Sequence, residues 1–194
     1  MSRWEPDAPE RLERAALELF LERGFDQTTV PQIAERAGLT TRTFFRYFPD
    51  KREVLFAGED EIPNRVATLM RLTPPMANPM ELIASGFETM APMFEGQLER
   101  LRQRRAVIAG NDGLRERELR KRANLSDSFA EGFRTRGVDP LNARLLAETT
   151  VTIFSVSMQR WLDAPERGLV SLLRETMDAL FAVTRVSTAG PAAL

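Results

Sequence analysis

Two arginines, a threonine and a phenylalanine recur at helical spacing in the stretch TTRTFFRYF, residues 40–48, beside the inward-facing Phe44 and Phe48. One face of a helix over these residues carries Thr41, Arg42, Phe45 and Arg46. Positions three and four apart are neighbours on a helix. An arginine fork binds guanine through two hydrogen bonds, and a phenylalanine contacts the methyl group of thymine. The stretch therefore predicts a helix that reads base edges in double-stranded DNA.

Hydroxyl and ammonium donors flank this face in the sequence. They are Thr28, Thr29, Thr43, Tyr47 and Lys51. Such donors suit phosphate oxygens, and Thr29 and Lys51 come near predicted helix starts, where backbone amides favour anions. Residues 27–52 hold five cations and two acids, a net +3, whereas the whole chain is −1. The predicted DNA contact is therefore a local patch, and Thr28 and Thr29 have the alternative role of helix caps alone.

Apolar periodicity predicts a first helix over residues 8–23. Asp7 and Glu10 form a capping-box pattern before it, and Gly24 stands where a glycine ends a helix. Apolar residues recur at intervals of three and four along the whole chain, and no strand-like alternation appears. The fold is therefore predicted to be all-α.

Two short helices follow the first one. Thr29 and Gln32 form a capping box for the second helix, and Thr40 caps the third. Gly38 lies between them, where two helices must cross closely. This arrangement is typical of a helix-turn-helix, in which the last helix enters the major groove.

The rest of the chain is predicted to form longer helices. Asp50 and Glu53 cap a fourth helix that we extend to about Leu72, with a kink or a restart at Pro63. Further helices are predicted over 80–92, 95–109, 114–136, 141–162 and 167–185, which makes about nine helices. The predicted domains are a helix-turn-helix DNA-binding domain over 1–52, a ligand-binding and dimerisation domain over 53–186, and a disordered tail over 187–194.

Methionine and phenylalanine side chains are frequent in the larger domain. The predicted ligand-binding residues among them are Met70, Phe87, Met90, Phe94, Phe129, Phe133, Phe154 and Met158. Methionine adapts to irregular apolar ligands, so the group predicts a cavity. Ordinary core packing is the alternative for each residue. Arg104 and Arg105 belong to an arginine-rich stretch that predicts either a rim for an anionic head group or a solvated helix face.

The last two predicted helices, 141–162 and 167–185, are apolar on wide faces. The predicted interface residues on these faces are Leu145, Ile153, Trp161, Leu173, Met177 and Phe181. A helix that is apolar nearly all round must be buried. Because one small domain has too little surface to cover both helices, we predict a homodimer held by a four-helix bundle.

The chain has 194 residues and contains no cysteine and no histidine. This excludes disulfides, zinc sites of cysteine and histidine, cysteine nucleophiles and histidine bases. No paired carboxylates occur in a pocket-like context, so we expect no enzyme activity, no cofactor and no metal site. No apolar run is long enough to span a membrane and no secretory signal is visible, so we expect a cytoplasmic protein.

The stretch TTVPQIAERAGLTTRTFFRYFPDKREVL, residues 28–55, resembles the N-terminal domain of the TetR family of bacterial transcriptional regulators. The resemblance implies an all-helical homodimer with a three-helix DNA-binding domain and a ligand-binding C-terminal domain. It also implies base contacts by the face described above and phosphate contacts by its flanking donors. Many members have glycine in place of Arg42 and tyrosine in place of Phe45. Residues 103–121 are similar to a TetR subfamily that includes regulators responding to acyl-CoA thioesters.

We therefore expect a ligand-responsive repressor that binds a palindromic operator as a homodimer and is released by a small apolar or amphipathic effector. Its expected partners are operator DNA, the effector and a second copy of the chain. We expect no association with a membrane. The predicted fourth helix, as the sole covalent link between the domains, would transmit the response. The alternative is an all-helical protein-interaction module whose helix-turn-helix is structural only.

Overall fold

The computed structural model describes residues 7–58, 62–73 and 78–185. Within these ranges the chain forms nine α-helices and no strand, which confirms the all-α prediction. The helices are α1 Ala8–Arg23, α2 Val30–Arg36, α3 Thr41–Tyr47, α4 Ile62–Leu72, α5 Pro79–Glu95, α6 Leu98–Ala109, α7 Asp112–Thr135, α8 Pro140–Asp163 and α9 Leu169–Arg185. Short 3₁₀ helices cover Glu53–Phe56 and Pro165–Arg167. The predicted disordered tail, 187–194, lies outside the described residues.

None of the described helices is both long enough and apolar enough to cross a membrane. The helices divide into two compact units. The first unit contains the described residues up to Ile62 together with Glu99–Lys121, and the second contains Pro63–Leu98 and the described residues from Arg122 onward. Helix α7 begins in the first unit and ends in the second. The predicted domain boundary at residue 52 did not anticipate that residues 99–121 belong to the same unit as α1, α2 and α3.

The core of the first unit explains why residues 99–121 belong to it. Leu12 and Leu19 on α1 and Phe44 on α3 are almost completely buried. Val107 and Ile108 at the end of α6 join the same cluster of apolar side chains, as does Leu114 on α7. Burial of apolar surface stabilises this contact, so α6 and the first turns of α7 complete a core that three short helices alone would leave open.

Local capping signals set most helix starts in this unit. The backbone N–H of Thr29 donates to Gln32 Oε1 at 2.9 Å, and Thr40 Oγ1 accepts from the N–H of Thr43 at 3.1 Å, so both predicted caps are confirmed. The predicted capping box at Asp7 is wrong. Asp7 has a left-handed backbone with φ 69° and makes no side-chain cap bond.

Gly38 has φ +66° in the turn between α2 and α3. A Cβ at this position would lie 2.9 Å from Nη2 of Arg11 on α1. The same guanidinium donates to the carbonyl of Ala37 at 2.5 Å. The backbone conformation therefore requires glycine, and a Cβ would also displace the end of the Arg11 side chain that caps α2.

The predicted fourth helix is interrupted. Asp50 Oδ1 accepts from the N–H groups of Arg52 and Glu53, at 2.7 and 3.2 Å, and starts only a 3₁₀ helix. Burial opposes ionisation of Asp50, but these bonds and the Arg52 side chain lower its pKa below the ordinary value. The 3₁₀ helix ends at Phe56, since Ala57 has a non-helical backbone with ψ 135°, Gly58 follows with φ +73°, and α4 begins at Ile62.

The idea of a sole covalent link through helix 4 is also wrong. The chain passes between the two units after residues 62, 98 and 121. The third passage lies inside the continuous helix α7.

The second unit has its own core, in which α5, α8 and α9 pack together. Ile153 and Trp161 on α8 and Leu172 on α9 are buried to within 2% of complete. Glu95 Oε1 at the end of α5 accepts from the N–H of Leu169 at 3.0 Å and so caps the start of α9. Buried apolar contacts and this cap hold the three helices together.

Candidate nucleic-acid interface and effector unit

Helix α3 turns one face into the core of the first unit and the other outward. Phe44 is fully buried and Phe48 is 6% exposed, whereas Phe45 is 57% exposed. Arg42 and Arg46 are also exposed, and Thr41 is half-buried. The two buried rings therefore fix the helix while four predicted base-reading side chains remain accessible on its outer side.

Tyr47 orients one of these arginines. The guanidinium of Arg46 lies 4.7 Å from the centre of the Tyr47 ring, and its Nη2 donates to the phenol oxygen at 2.9 Å. Arginine stacks on aromatic faces and has five N–H donors, so the stacked geometry is compatible with a further contact to a base or a phosphate.

Two predicted phosphate donors, Thr29 and Thr43, lie at helix starts of the first unit. Thr29 is exposed at the start of α2, and Thr43 is half-buried in the first turn of α3. The hydroxyl of Thr43 lies 2.9 Å from that of Thr40.

Arg36 holds α2 on α1 through Glu22 and Glu18, at 2.9 and 3.2 Å.

Thr28 is not available to DNA. Its side chain is fully buried, and its hydroxyl is placed to donate to the carbonyl oxygens of Gly24 and Leu19, at 2.9 and 3.2 Å. The prediction of Thr28 as a DNA-binding residue is therefore corrected. Thr28 secures the loop after α1, which is neither the DNA contact nor the helix cap that the sequence predicted.

The ammonium group of Lys51 is bound by the protein itself. It donates to the carbonyl oxygens of Phe25, Asp26 and Thr28 at 2.7, 3.3 and 2.8 Å, and it lies 4.4 Å from the centre of the Phe25 ring. An ammonium has three hydrogens, so these three carbonyls account for all of them. Lys51 joins the end of the helix-turn-helix to the loop before α2.

Three cations of α6 and α7 hold the 3₁₀ helix Glu53–Phe56. Arg117 Nε donates to Glu53 Oε1 at 2.7 Å, and Lys121 Nζ lies 3.7 Å from Glu53 Oε2. Arg104 Nε donates to the Leu55 carbonyl at 2.7 Å. The charged groups of Arg104 and Lys121 lie 4.9 and 5.2 Å from the centre of the buried Phe56 ring. We call this set, Glu53, Phe56, Arg104, Arg117 and Lys121, the clasp.

The clasp changes the interpretation of the arginine-rich stretch. Arg104 and Arg105 belong to the first unit, whereas the predicted apolar ligand residues belong to the second. Arg104 also pairs with Glu118 at 3.4 Å. A nearby ion pair joins Glu13 on α1 to Arg100 at 2.9 Å, and burial raises the pKa of the Glu13 carboxyl although Arg100 acts against this. Four cations of this stretch therefore hold α6 and the first turns of α7 on the first unit, namely Arg100, Arg104, Arg117 and Lys121.

Three predicted ligand residues form an aromatic cluster in the second unit. The Phe154 ring centre lies 6.1 Å from that of Phe87 and 5.2 Å from that of Phe94. Phe87 is buried, but Phe94 and Phe154 keep part of their surface uncovered. The other predicted apolar ligand residues are also either buried or partly exposed. Met70 and Phe133 are buried, and Met90, Phe129 and Met158 are half-buried.

Met70 packs against Gly132 so closely that a Cβ at Gly132 would overlap the Met70 sulfur. Nη1 of Arg136, just after α7, donates to the carbonyl of Met70 and, at 2.9 Å, to that of Thr73. These carbonyls lie at the end of α4, where helical partners are lacking. We call this contact between α4 and α7 the α4–α7 junction. Sequence analysis found Met70 but missed Gly132 and Arg136.

Most of the predicted interface residues are buried inside one chain. Ile153, Trp161, Leu173 and Met177 are 1, 2, 2 and 8% exposed without any partner subunit, so their prediction as interface residues is corrected. Phe181 is half-buried, and Leu145 is 56% exposed. On the same side of α8, Leu141 and Val156 are 69 and 41% exposed. Their spacing from Leu145, four and eleven residues, is the signal that would have found them.

The family models agree with this architecture. Residues 13–57 match the family described as bacterial regulatory proteins of the tetR family, and residues 77–185 match the MftR C-terminal domain. The chain belongs to the TetR family. Its α1–α3 segment is thus the helix-turn-helix domain of a family of bacterial transcriptional regulators.

Two curated relatives carry the name HTH-type transcriptional regulator. TcmR of Streptomyces glaucescens is 36% identical over 91 residues, which cover 46% of this chain and 40% of TcmR. HbdR of Aromatoleum sp. (strain CIB) is 38% identical over 63 residues, which cover 28% of each protein. The matched segments therefore span less than half the length of these relatives.

Solved structures of the TetR family share the fold over most of their length. FadR of Thermus thermophilus, a repressor solved with lauroyl-CoA, is 27% identical with a TM-score of 0.59, over 89% of this chain and 93% of FadR. A regulator from Syntrophomonas wolfei has a TM-score of 0.66 at 16% identity, over 96 and 98% of the two chains. A complex of SmeT with triclosan has a TM-score of 0.55 at 21% identity, over 89 and 90%. The last two support the fold alone.

Proposed function

We propose that this TetR-family protein is a ligand-responsive repressor. In this proposal it binds a palindromic operator as a homodimer and is released when a small apolar or amphipathic effector enters its second unit. The observation that carries the proposal is the outer face of α3, where exposed Arg42, Phe45 and Arg46 stand opposite the buried Phe44. The test is a gel shift with DNA from upstream of its own gene. Binding without preference over competitor DNA would favour a protein-interaction module instead.

Arg42 is proposed to read a base. We expect Arg42→Ala to weaken operator binding by about 1–3 kcal/mol and to relax specificity at one base pair in each half-site. Titration against operators substituted at each position measures this. Arg120→Ala is the control, because Arg120 is exposed on α7 and pairs with Glu116. Unchanged affinities of Arg42→Ala for all operator variants would remove Arg42 from the base contacts.

Lys51 is proposed to act through the loop that it binds. We expect Lys51→Met to weaken binding to every DNA sequence alike, because the carbonyls of Phe25, Asp26 and Thr28 lose their donor. The dependence of affinity on salt should change little, whereas loss of a direct phosphate contact would lower its slope by about 0.9. Titrations at several salt concentrations distinguish the two. A slope lower by about one would restore Lys51 as a phosphate contact.

The dimer is proposed to form through the exposed side of α8 that carries Leu141, Leu145 and Val156. Operator half-sites are spaced by the DNA helix, so two linked heads are needed to bind both. A closed dimer places the same patch of each subunit against itself. Leu141 and Leu145, one turn apart, and Val156 further along the same helix supply the apolar contacts of such a patch.

The effector response is proposed to pass along α7. One end of this helix carries Arg117 and Lys121 of the clasp, and the other packs against Met70 through Gly132. An effector that displaces Met70 would move α7 and change the position of the 3₁₀ helix after the recognition helix. Linkage then requires the effector to bind the DNA-free protein better, with a coupling of about 1–3 kcal/mol. Lauroyl-CoA, the ligand in the FadR structure, is the first effector to measure with and without operator.

A further inference from the structure

A single hydroxyl among the described residues of the second unit is buried without a hydrogen-bond partner. It belongs to Ser126 on α7, which is 1% exposed. Other buried hydroxyls of that unit are satisfied by main-chain carbonyls. Thr150 donates to Leu146 at 2.7 Å, and Ser157 and Thr176 donate to Leu172 at 3.3 and 2.7 Å. Ser126 therefore differs from the hydroxyls that serve the packing of this unit.

A buried polar group without a partner costs free energy, and native proteins contain few such groups. Packing does not require a hydroxyl at Ser126, since it holds no other part of the described chain. Alanine or glycine would fill nearly the same volume at no such cost. A ligand with a hydrogen-bonding group would supply the partner that this hydroxyl lacks among the described residues.

The position of Ser126 on α7 connects it with the predicted effector residues. Phe129 and Phe133 follow at three and seven residues, so all three share one face of the helix. Phe133 is 1% exposed, and Phe129 is half-buried. Along the same helix, Ser126 lies between Lys121 of the clasp and Gly132 of the α4–α7 junction.

We propose that the Ser126 hydroxyl binds the polar group of the effector, and that this group is uncharged. This rests on the proposed function, in which the second unit holds the effector. The effector class is an apolar molecule with a neutral hydrogen-bonding group, such as a phenol, ketone or ester.

The absence of charge follows from the chemistry of the site. A serine hydroxyl supplies one donor and two acceptor positions but no charge. A buried anion would need a paired cation. Cations along this part of the chain are engaged elsewhere, since Arg134 pairs with Glu131, Arg136 binds the carbonyls of α4, and Arg144 pairs with Asp127.

The test uses phenol and toluene, which have the same size and differ by a hydroxyl in place of a methyl group. Their affinities for the full-length protein are measured by protein-observed NMR titration, without DNA. We expect Ser126→Ala to lower the affinity for phenol, relative to that for toluene, by roughly 3–10-fold, the range for loss of one hydrogen bond. Ser157→Ala, which removes a buried hydroxyl bonded to Leu172, should leave the ratio unchanged.

Thermal unfolding without a probe supplies a second readout. Ser126→Ala removes no hydrogen bond between described residues, so its melting temperature should equal or exceed that of the wild type, whereas Ser157→Ala should melt lower. Three results would overturn the proposal. They are a ratio unchanged within about twofold, binding of neither probe, and a loss of stability in Ser126→Ala as large as in Ser157→Ala. Failure of the wild type to bind operator would overturn the proposed function and leave the probe result standing.

Discussion

Glutamate in place of Leu145 is expected to convert the dimer to monomers and to weaken operator binding by at least ~100-fold, since two half-sites need two linked heads. Leu145 is 56% exposed at the centre of the apolar side of α8. In a twofold dimer the introduced carboxylate would face the apolar patch of the partner subunit and the same carboxylate on that subunit. Burial of an unpaired charge is costly. Sedimentation velocity measures the association, and titration with operator DNA measures the binding.

The matched control is Leu119→Glu. Leu119 is 63% exposed on the part of α7 that belongs to the first unit, so this variant adds the same charge at an equally exposed leucine. It should remain dimeric. Trp161→Glu gives no information on the interface, because Trp161 is 2% exposed and its replacement would disrupt the core. A Leu145→Glu protein that still sediments as a dimer would contradict the proposed interface.

The helix-turn-helix was predictable because its signals are local. The caps at Thr29 and Thr40 each involve residues three apart, and the inward Phe44 and Phe48 are four apart. Such spacings fix the start of a helix and the face that it buries without knowledge of the rest of the chain. The family resemblance then covered the same residues.

Contacts between distant parts of the chain were not predictable in this way. The Lys51 ammonium binds carbonyls 23 to 26 residues earlier, and Arg104 binds the Leu55 carbonyl 49 residues away. A sequence marks both residues as cations but does not show which oxygens come close in the fold. For this reason a stretch predicted as either an anion-binding rim or a solvated helix face supplies three residues of the clasp, Arg104, Arg117 and Lys121.

The interface residues on α8 and α9 show a similar limit. Apolar faces as wide as these must be covered, but the sequence does not tell whether the cover comes from the same chain or from a second copy. Trp161 and Leu173 are covered by their own chain, while Leu141 and Leu145 are not. Wide faces on two helices therefore divide into a side that packs inside the unit and a narrower stripe that remains exposed.

The second large effect is expected from Gly132→Ala, which should lower operator affinity about tenfold without any effector, a change of about 1.4 kcal/mol. The added methyl group overlaps the Met70 sulfur, and Met70 is only 5% exposed, so its side chain must move. Because Arg136 ties the carbonyls of Met70 and Thr73 to the end of α7, displacement of Met70 strains the α4–α7 junction. The substitution thus imitates the displacement that we propose for the effector. Effector added to this variant should produce a smaller further loss of affinity.

Two companion variants separate this effect from general damage to the fold. Gly86→Ala also adds a methyl group to a helix of the second unit, but its nearest neighbour is Leu69 Cδ2 at the ordinary contact distance of 3.8 Å. Because this contact displaces no side chain, the variant should leave operator affinity unchanged. It should not destabilise the helix either, since alanine is a better helix former than glycine by about 1 kcal/mol. The double variant Gly132→Ala with Met70→Ala removes the overlapping side chain and should recover most of the affinity. In the double variant the overlap between the added methyl group and Met70 is gone. If it still binds operator as weakly as Gly132→Ala alone, displacement of Met70 is not the cause of the weaker DNA binding.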